Sequence, residues 1–316
     1  MSDGKDRGTL RLTDRPDPEP ADDQIRVRVV ASAVNRADIL QVRGRYAAPA
    51  GWPADIPGLE YAGIVEAIGR RVTRWAPGDR VMGLVGGGGY AERVVVHERE
   101  ALPIPGRIGT DQAAALPESF LTAFDALVVR ARVAPGERVL VHAAGSGLGT
   151  AAIQVARALG ATVIGTSRSP AKLEPARALG LEDAIDSSGG AFASKVGEPV
   201  DVILDVIGAP AWEENLRALA PRGRLVLLGF LGGSRGALDL EPVLRKRIEV
   251  IGTVMRGRGL EERIALAERA ERELLPLLAD GALRPVIAGE YRMEEAAEAH
   301  RRMEEGDVFG KLILRW

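Results

Sequence analysis

Apolar and polar positions alternate in short runs over the first 117 residues. Ile25–Ala31, Gly63–Ala67, Arg80–Leu84 and Arg93–Val96 read as strands, separated by Pro57-Gly58, Pro77-Gly78 and the glycines 86 to 89. Short strands at this spacing predict a small barrel-like, β-rich unit. One short helix, Arg36–Arg43, is expected after Asn35, which suits a cap, and before Gly44.

From Glu118 the pattern becomes alternating strand and helix. Arg138–His142, Thr162–Gly165, Val200–Val206, Arg224–Leu228 and Ile248–Thr253 read as mostly apolar strands, so both faces are expected to be covered. Between them Thr150–Leu159 shows helical spacing at Ile153, Val155, Ala156 and Leu159 and stops at Gly160. Pro170–Leu179, with Ser169 before it and Gly180 after it, and Ala211–Leu219 are further helices. The fold class is therefore α/β: residues 118–258 form a doubly wound parallel-sheet (Rossmann) domain. Leu260–Ala279, Arg284–Tyr291, Met293–Glu305 and Lys311–Leu314 then read as helix, strand, helix and strand. This tail is expected to return to the first unit, giving a discontinuous barrel-like domain of residues 1–117 and 259–316.

Composition narrows the chemistry. With 316 residues, 46% hydrophobic and 27% charged, the chain has an ordinary globular balance. A formal charge of −2 supplies no field to recruit nucleic acid or anionic lipid. The absence of cysteine excludes disulfides, thiolate nucleophiles and cysteine-ligated metals, and three scattered histidines, His97, His142 and His300, form no helical ligand pair. No metal is expected. No apolar run is long enough for a membrane span, and Met1–Arg15 lacks the apolar core of a secretory signal, so a cytoplasmic protein is expected.

The strongest chemical signal runs from Val139 to Thr150. Ala144-Gly145-Ser146-Gly147-Leu148-Gly149 lies between a predicted strand and a predicted helix. Small residues there let the backbone approach a pyrophosphate at the positive helix end. An NAD site places an acidic residue at the end of the next strand. This chain has Thr166-Ser167-Arg168-Ser169 and then Lys172, with no carboxylate before Glu174. Hydroxyls and two cations suit the 2′-phosphate of NADPH; the alternative is a capped helix start with solvated charges.

The chain resembles the medium-chain dehydrogenase/reductase superfamily, and within it the zinc-free, zeta-crystallin-like NADPH:quinone oxidoreductases. The likeness rests on Gly58-Leu-Glu-Tyr-Ala-Gly63, Gly69, Val72, Gly78-Asp-Arg-Val81 and Gly89-Tyr-Ala-Glu92. In the nucleotide domain Gly136-Glu137, Leu140, Ala144 to Gly147, Gly149, Gln154 and Arg157 continue it. Ser146 stands where many members have glycine. Members open with a strand ahead of the segment matching Thr9–Arg15, so that strand is either replaced by Met1–Gly8 or missing. Asn35 and Leu59 occupy the places of the zinc-binding cysteine and histidine of the superfamily's alcohol dehydrogenases, with Glu60 retained.

The resemblance implies reduction of a quinone by NADPH without a metal, in a crevice between the domains, with Tyr46 and Asn35 near the acceptor oxygen. Tyr46 has an alternative as a loop aromatic beside Trp52, and Asn35 as a helix cap alone. Ser146 either donates to the cofactor or is a small turn residue. Thr122 corresponds to a residue near the nicotinamide amide, or is a plain helix-facing threonine. Gly229, Phe230 and Leu231, with Val206 to Gly208, follow sheet strands and would edge the cofactor cleft. Lys311 reads as a solvated charge, as do Arg256 and Arg258, although Arg256 lies near where members shape the substrate mouth. His142 reads as a satisfied core group. The family also implies a homodimer joined through Ile248–Thr253, an apolar edge strand. Two other activities fit the same motifs: reduction of an enone or alkenal double bond, and NADPH binding without catalysis by a sensor or RNA-binding protein.

Overall fold

The computed structural model describes residues 8–316, so the expectation for Met1–Gly8 falls almost wholly outside the described residues. The chain divides into two compact units. One is the chain up to Leu121 together with Met255–Trp316; the other is Thr122–Val254. Each division lies four residues from the boundary expected from the sequence pattern.

The first unit begins with strands β1 (Gln24–Ala33), β2 (Glu60–Ile68), β3 (Arg80–Leu84), β4 (Arg93–His97) and β5 (Leu102–Pro103). Helix α1 (Arg36–Val42) follows β1, and α2 (Thr110–Ala113) and α3 (Pro117–Phe124) follow β5. Period-two patterning decides which face of β1 is buried: Ile25, Val27, Val29 and Ala31 point inward, and Arg26 pairs outward with Glu66 at 3.1 Å. Ile25, Val27 and Val29 pack with Tyr61, Val65, Val81, Val94 and Val96 as the barrel core.

In the second unit β6 (Arg138–Val141), β7 (Thr162–Ser167), β8 (Asp183–Asp186), β9 (Val200–Asp205), β10 (Leu219–Leu227) and β11 (Glu249–Gly252) form one sheet in the order β11-β10-β9-β6-β7-β8. Every pairing in it is parallel. Helices α4 (Gly147–Ala158), α5 (Leu173–Arg177), α6 (Trp212–Ala218) and α7 (Glu241–Lys246) complete the unit. The chain runs outward from β6 to β8 and then crosses back to β9. The order therefore reverses between β6 and β9, which is where ligands settle in doubly wound sheets. The segment Pro170–Leu179 begins as a 3-10 turn, Pro170–Lys172, before α5.

The tail contributes α8 (Leu260–Glu273), α9 (Leu275–Asp280), β12 (Ile287–Arg292), α10 (Ala296–Glu305) and β13 (Lys311–Arg315). The expected single helix from Leu260 breaks at Leu274. Pro276 cannot donate to the helix ladder and its ring crowds the preceding turn. β13 pairs antiparallel with β1, placing Ala33 opposite Ile313, and parallel with β12. That pairing brings Lys311 into the first unit. No helix among the described residues is long and apolar enough to cross a membrane.

Candidate active site

The glycine turn leaves β6 at the switch point of the second unit. Ala143 adopts φ +51, a left-handed conformation rare outside glycine, and its carbonyl accepts from Ser146 N at 2.8 Å. Ala144 is buried and donates to Thr166 O at 2.9 Å, tying the turn to β7. Helix α4 begins at Gly147, and the Ser146 hydroxyl accepts from Gly149 N at 2.9 Å. Ser146 is thus the cap of α4, and its O–H remains able to donate. A side chain at Gly149 would put Cβ 2.4 Å from the Ala143 carbonyl, so only glycine lets the helix start this close to the strand. Leu148, half-buried, occupies the first turn of α4.

The end of β7 carries no acid. Arg168 is exposed, and the Lys172 stem lies against the turn: a Cβ at Gly145 would meet Lys172 Cβ at 2.8 Å. Ser167 is buried, and its hydroxyl donates to Ser169 O and accepts from Ser169 N, both at 3.0 Å. Its donor is spent on holding this loop, and Arg168 stands exposed beside it.

The other side of the switch point is pinned from within. His142 is buried, with Nδ1 2.7 Å from Thr166 Oγ1 and Nε2 2.7 Å from Asn215 Oδ1. Burial holds its imidazole below the usual histidine range. It is a satisfied core group. Asn215 in turn donates to Asp205 Oδ2 at 3.1 Å, and Asp205 accepts from the amides of Ile207 at 2.6 Å and Gly208 at 3.1 Å. This fixes the loop after β9, against which Leu231 N bonds to Val206 O at 2.9 Å. Beyond Gly229, Phe230 and Leu231 are more than half exposed. Thr122, just ahead of a widened π-helical turn (Asp125–Arg130), has a buried hydroxyl oxygen without a partner among the described residues.

The first unit holds a buried polar cluster. Lys311 Nζ donates to Glu60 Oε1 and to Asn35 Oδ1, each at 2.6 Å. Asn35 Nδ2 donates to Glu60 Oε1 at 2.8 Å and to Ala33 O at 3.2 Å. Glu60 Oε2 accepts from Glu118 N at 2.8 Å. Both amide hydrogens of Asn35 are therefore engaged inside the protein, and it holds Glu60 and Lys311 together. Lys311 is almost fully buried, so its reading as a solvated charge is corrected. A second chain runs from Asp38, which accepts from Asn35 N at 2.8 Å and Gly58 N at 3.2 Å, through Tyr90 OH at 3.3 Å to His300 Nε2 at 3.0 Å. Burial, with the Glu60 charge, outweighs these bonds and the Lys311 ammonium and pushes the Asp38 carboxyl up to about 7.

Arg256 is also buried, against the expectation of a solvated face. Its Nε donates to Gly86 O at 2.7 Å and its Nη1 to Tyr46 O at 3.0 Å, and Nη2 bonds Gln41. Its guanidinium lies 4.8 Å from the Tyr46 ring centroid, a cation–π contact. Burial and the neighbouring Glu118 charge push the Tyr46 phenol above its ordinary value. Glu118 lines a cavity of about 40 Å³ with Arg256, Leu59, Leu121 and Met255. Its carboxyl group is pushed up to about 8, first by burial and then by Glu60. A larger hollow, about 1000 Å³, is lined by residues 9–18 and β4 and takes in Tyr90 but not Glu118, Tyr46 or Arg256. Sequence reasoning missed Glu118, Asp38 and the role of Lys311; the one local signal was a lone acid inside the apolar stretch from Ala113 to Phe124.

A glycine turn at the switch point of a parallel sheet, in a chain that also carries a barrel unit, defines a nicotinamide-dependent oxidoreductase architecture. Residues 21–106 match the alcohol dehydrogenase GroES-like domain, and residues 147–272 match the family described as zinc-binding dehydrogenase. The chain is 35% identical over 311 residues to a quinone oxidoreductase of Pseudomonas aeruginosa, covering 96% of this chain and 95% of that one. It is 33% identical over 297 residues to quinone oxidoreductase-like protein 2 of Bos taurus, covering 92% and 84%. A 38% identical match lies within polyketide synthase GfsB of Streptomyces halstedii, where the chain spans 5% of that protein. Among solved structures, the quinone oxidoreductase of Thermus thermophilus, described with its NADPH complex, superposes with a TM-score of 0.83 at 37% identity, covering 98% and 97% of the two chains. The CurK enoyl reductase superposes at 0.82 with 29% identity, covering 96% and 94%. The chain belongs to the quinone oxidoreductase family of the medium-chain dehydrogenase/reductase superfamily.

Proposed function

We propose that the protein is an NADPH-dependent quinone reductase that works without a metal. The observation that carries the cofactor choice is the end of β7, where Arg168 stands exposed and the Lys172 stem crosses the glycine turn, with no carboxylate to receive a ribose hydroxyl. The turn fits a dinucleotide: the backbone is bare at Gly145 and Gly149, and α4 presents its positive end there. The unpartnered Thr122 hydroxyl suits the carboxamide of the nicotinamide ring. When bound, the reduced nicotinamide supplies the hydride chemistry.

The chain's own residues bind, orient and donate. Gly145, Ser146, Gly147, Leu148 and Gly149 hold the diphosphate, and Gly229, Phe230 and Leu231 border the cleft. Asn35 acts through Glu60 and Lys311, so Tyr46 is the hydrogen-bond donor toward the acceptor oxygen. Its ring is fixed under Arg256 while its hydroxyl makes no bond to any described residue. A quinone is already electrophilic, and one or two donors suffice for it. The edge strand β11 would join two copies as a homodimer, since it pairs only with β10 among the described residues and carries the exposed Val250.

Replacing both Arg168 and Lys172 by alanine is expected to weaken NADPH at least tenfold more than NADH in a fluorescence titration. Equal weakening removes the 2′-phosphate reading. The likeness to an enoyl reductase favours a second reading, hydride delivery to an enone or alkenal double bond. Turnover of a quinone panel against an enone panel separates the two. A wild type that binds NADPH yet reduces neither points to a binding protein.

A further inference from the structure

We infer that Glu118 is a further catalytic residue of this chain: its carboxyl group donates the proton that completes reduction of a carbonyl-type acceptor held beside Tyr46 and Arg256. The inference rests on the reductase reading above. Three observations carry it. First, half-buried Glu118 lines the cavity that also exposes Arg256, walled by the apolar Leu59, Leu121 and Met255. Second, its side chain has no hydrogen-bond partner among the described residues, whereas the neighbouring acids are occupied: Glu60 by Lys311, Asn35 and an amide, Asp38 by two amides and Tyr90. An acid whose neighbours are fully bonded while it stays free is placed for transfer rather than for scaffolding. Third, Glu118 sits in the first turn of α3, and its amide is fixed to Glu60 Oε2 at 2.8 Å, so the donor is carried by a rigid element.

The charged and titratable groups that act on Glu118 are Glu60 and Asp38, which favour its neutral form, and Lys311 and Arg256, which oppose it. Tyr46 feels the charges of Glu118 and Arg256 in turn. Glu100, Arg258 and Arg263 also line the cavity. With burial added, the carboxyl stays protonated through neutral pH.

The balance is simple. Reducing a quinone to a hydroquinone takes two electrons and two protons. The reduced nicotinamide supplies both electrons and one proton as hydride. The second proton leaves Glu118: its O–H bond breaks, an O–H bond forms on the acceptor oxygen, and the resulting carboxylate is reprotonated from water.

The test compares wild type with Glu118→Gln, an isosteric neutral replacement, using NADPH with a benzoquinone. Wild-type kcat is expected to fall as pH rises through about 8, the value to which the Glu118 carboxyl is raised. In Glu118→Gln, kcat is expected to be at least tenfold lower and flat across that range, with NADPH affinity unchanged. Difference infrared spectroscopy of the protein without nucleotide supplies an independent readout: the un-ionised carboxyl band should disappear near the same pH in wild type and be missing from Glu118→Gln. Asp38→Asn identifies the other neutral acid. A Glu118→Gln enzyme that keeps wild-type turnover and the same inflection overturns the inference, as does a Glu118 already ionised at pH 7. A wild type that reduces no acceptor at any pH instead fails the reductase reading, and the donor role falls with it.

Discussion

Replacing Lys311 by methionine removes the only ammonium among the described groups bonded to Glu60. The pair is buried almost completely, with side-chain exposures of 4% and 0%. Taking one member from a buried ion pair costs about 3–5 kcal/mol, because the other charge stays in a medium that solvates it poorly. Asn35 Nδ2 and the Glu118 amide, both at 2.8 Å, remain as donors, which argues for the lower part of that range. Urea unfolding of the variant, followed by the fluorescence of Trp52 and Trp75 in this unit, should show a loss of about 3 kcal/mol. The double variant Glu60→Gln with Lys311→Met should recover more than half. A loss below about 1 kcal/mol, or no recovery in the double variant, refutes the reasoning.

Gly149→Ala should weaken NADPH at least tenfold and lower the melting temperature, because its Cβ would lie 2.4 Å from a backbone carbonyl; a fluorescence titration and a thermal melt check both. Asp38→Asn should flatten part of the pH dependence of stability. Its folded value of about 7 exceeds the ordinary 3.8, so its contribution is lost as pH rises from about 4 to about 7 and is level above that. Urea unfolding at pH 5 and pH 7.5 measures the slope. His300 acts in the opposite sense, gaining stability from about 4 to 6.5, and it stays in both proteins.

What the sequence reveals depends on how local the cause is. The parallel sheet could be read because β6, β9 and the second half of β10 are rich in buried apolar residues, and the glycine turn because its strand and helix flank it within a dozen residues. β8, Asp183-Ala-Ile-Asp186, escaped because only Ile185 among its residues is buried, and a strand acidic at both ends has no distinguishing pattern. Lys311 and Arg256 were misread for a different reason. A charge far along the chain is solvated by default, and what buries Lys311 is a carboxylate 251 residues earlier in sequence, reached only when β13 pairs with β1. Arg256 likewise finds Tyr46 and Gln41 more than 200 residues away. Asn35 stands out in the sequence as a candidate, but its bonds are set by Glu60 and Lys311, which lie far along the chain.

Ala143 carries a cost that most turns avoid by using glycine. A left-handed alanine at φ +51 gives up about 1 kcal/mol, and the chain tolerates it because the Ala144 amide and the Ala143 carbonyl are both tied down. The methyl group denies this segment the wide wandering that a fourth flexible residue would allow. A dinucleotide therefore meets a receptacle shaped in advance, little disorder is surrendered on arrival, and Ala143→Gly would relax the turn while loosening the grip.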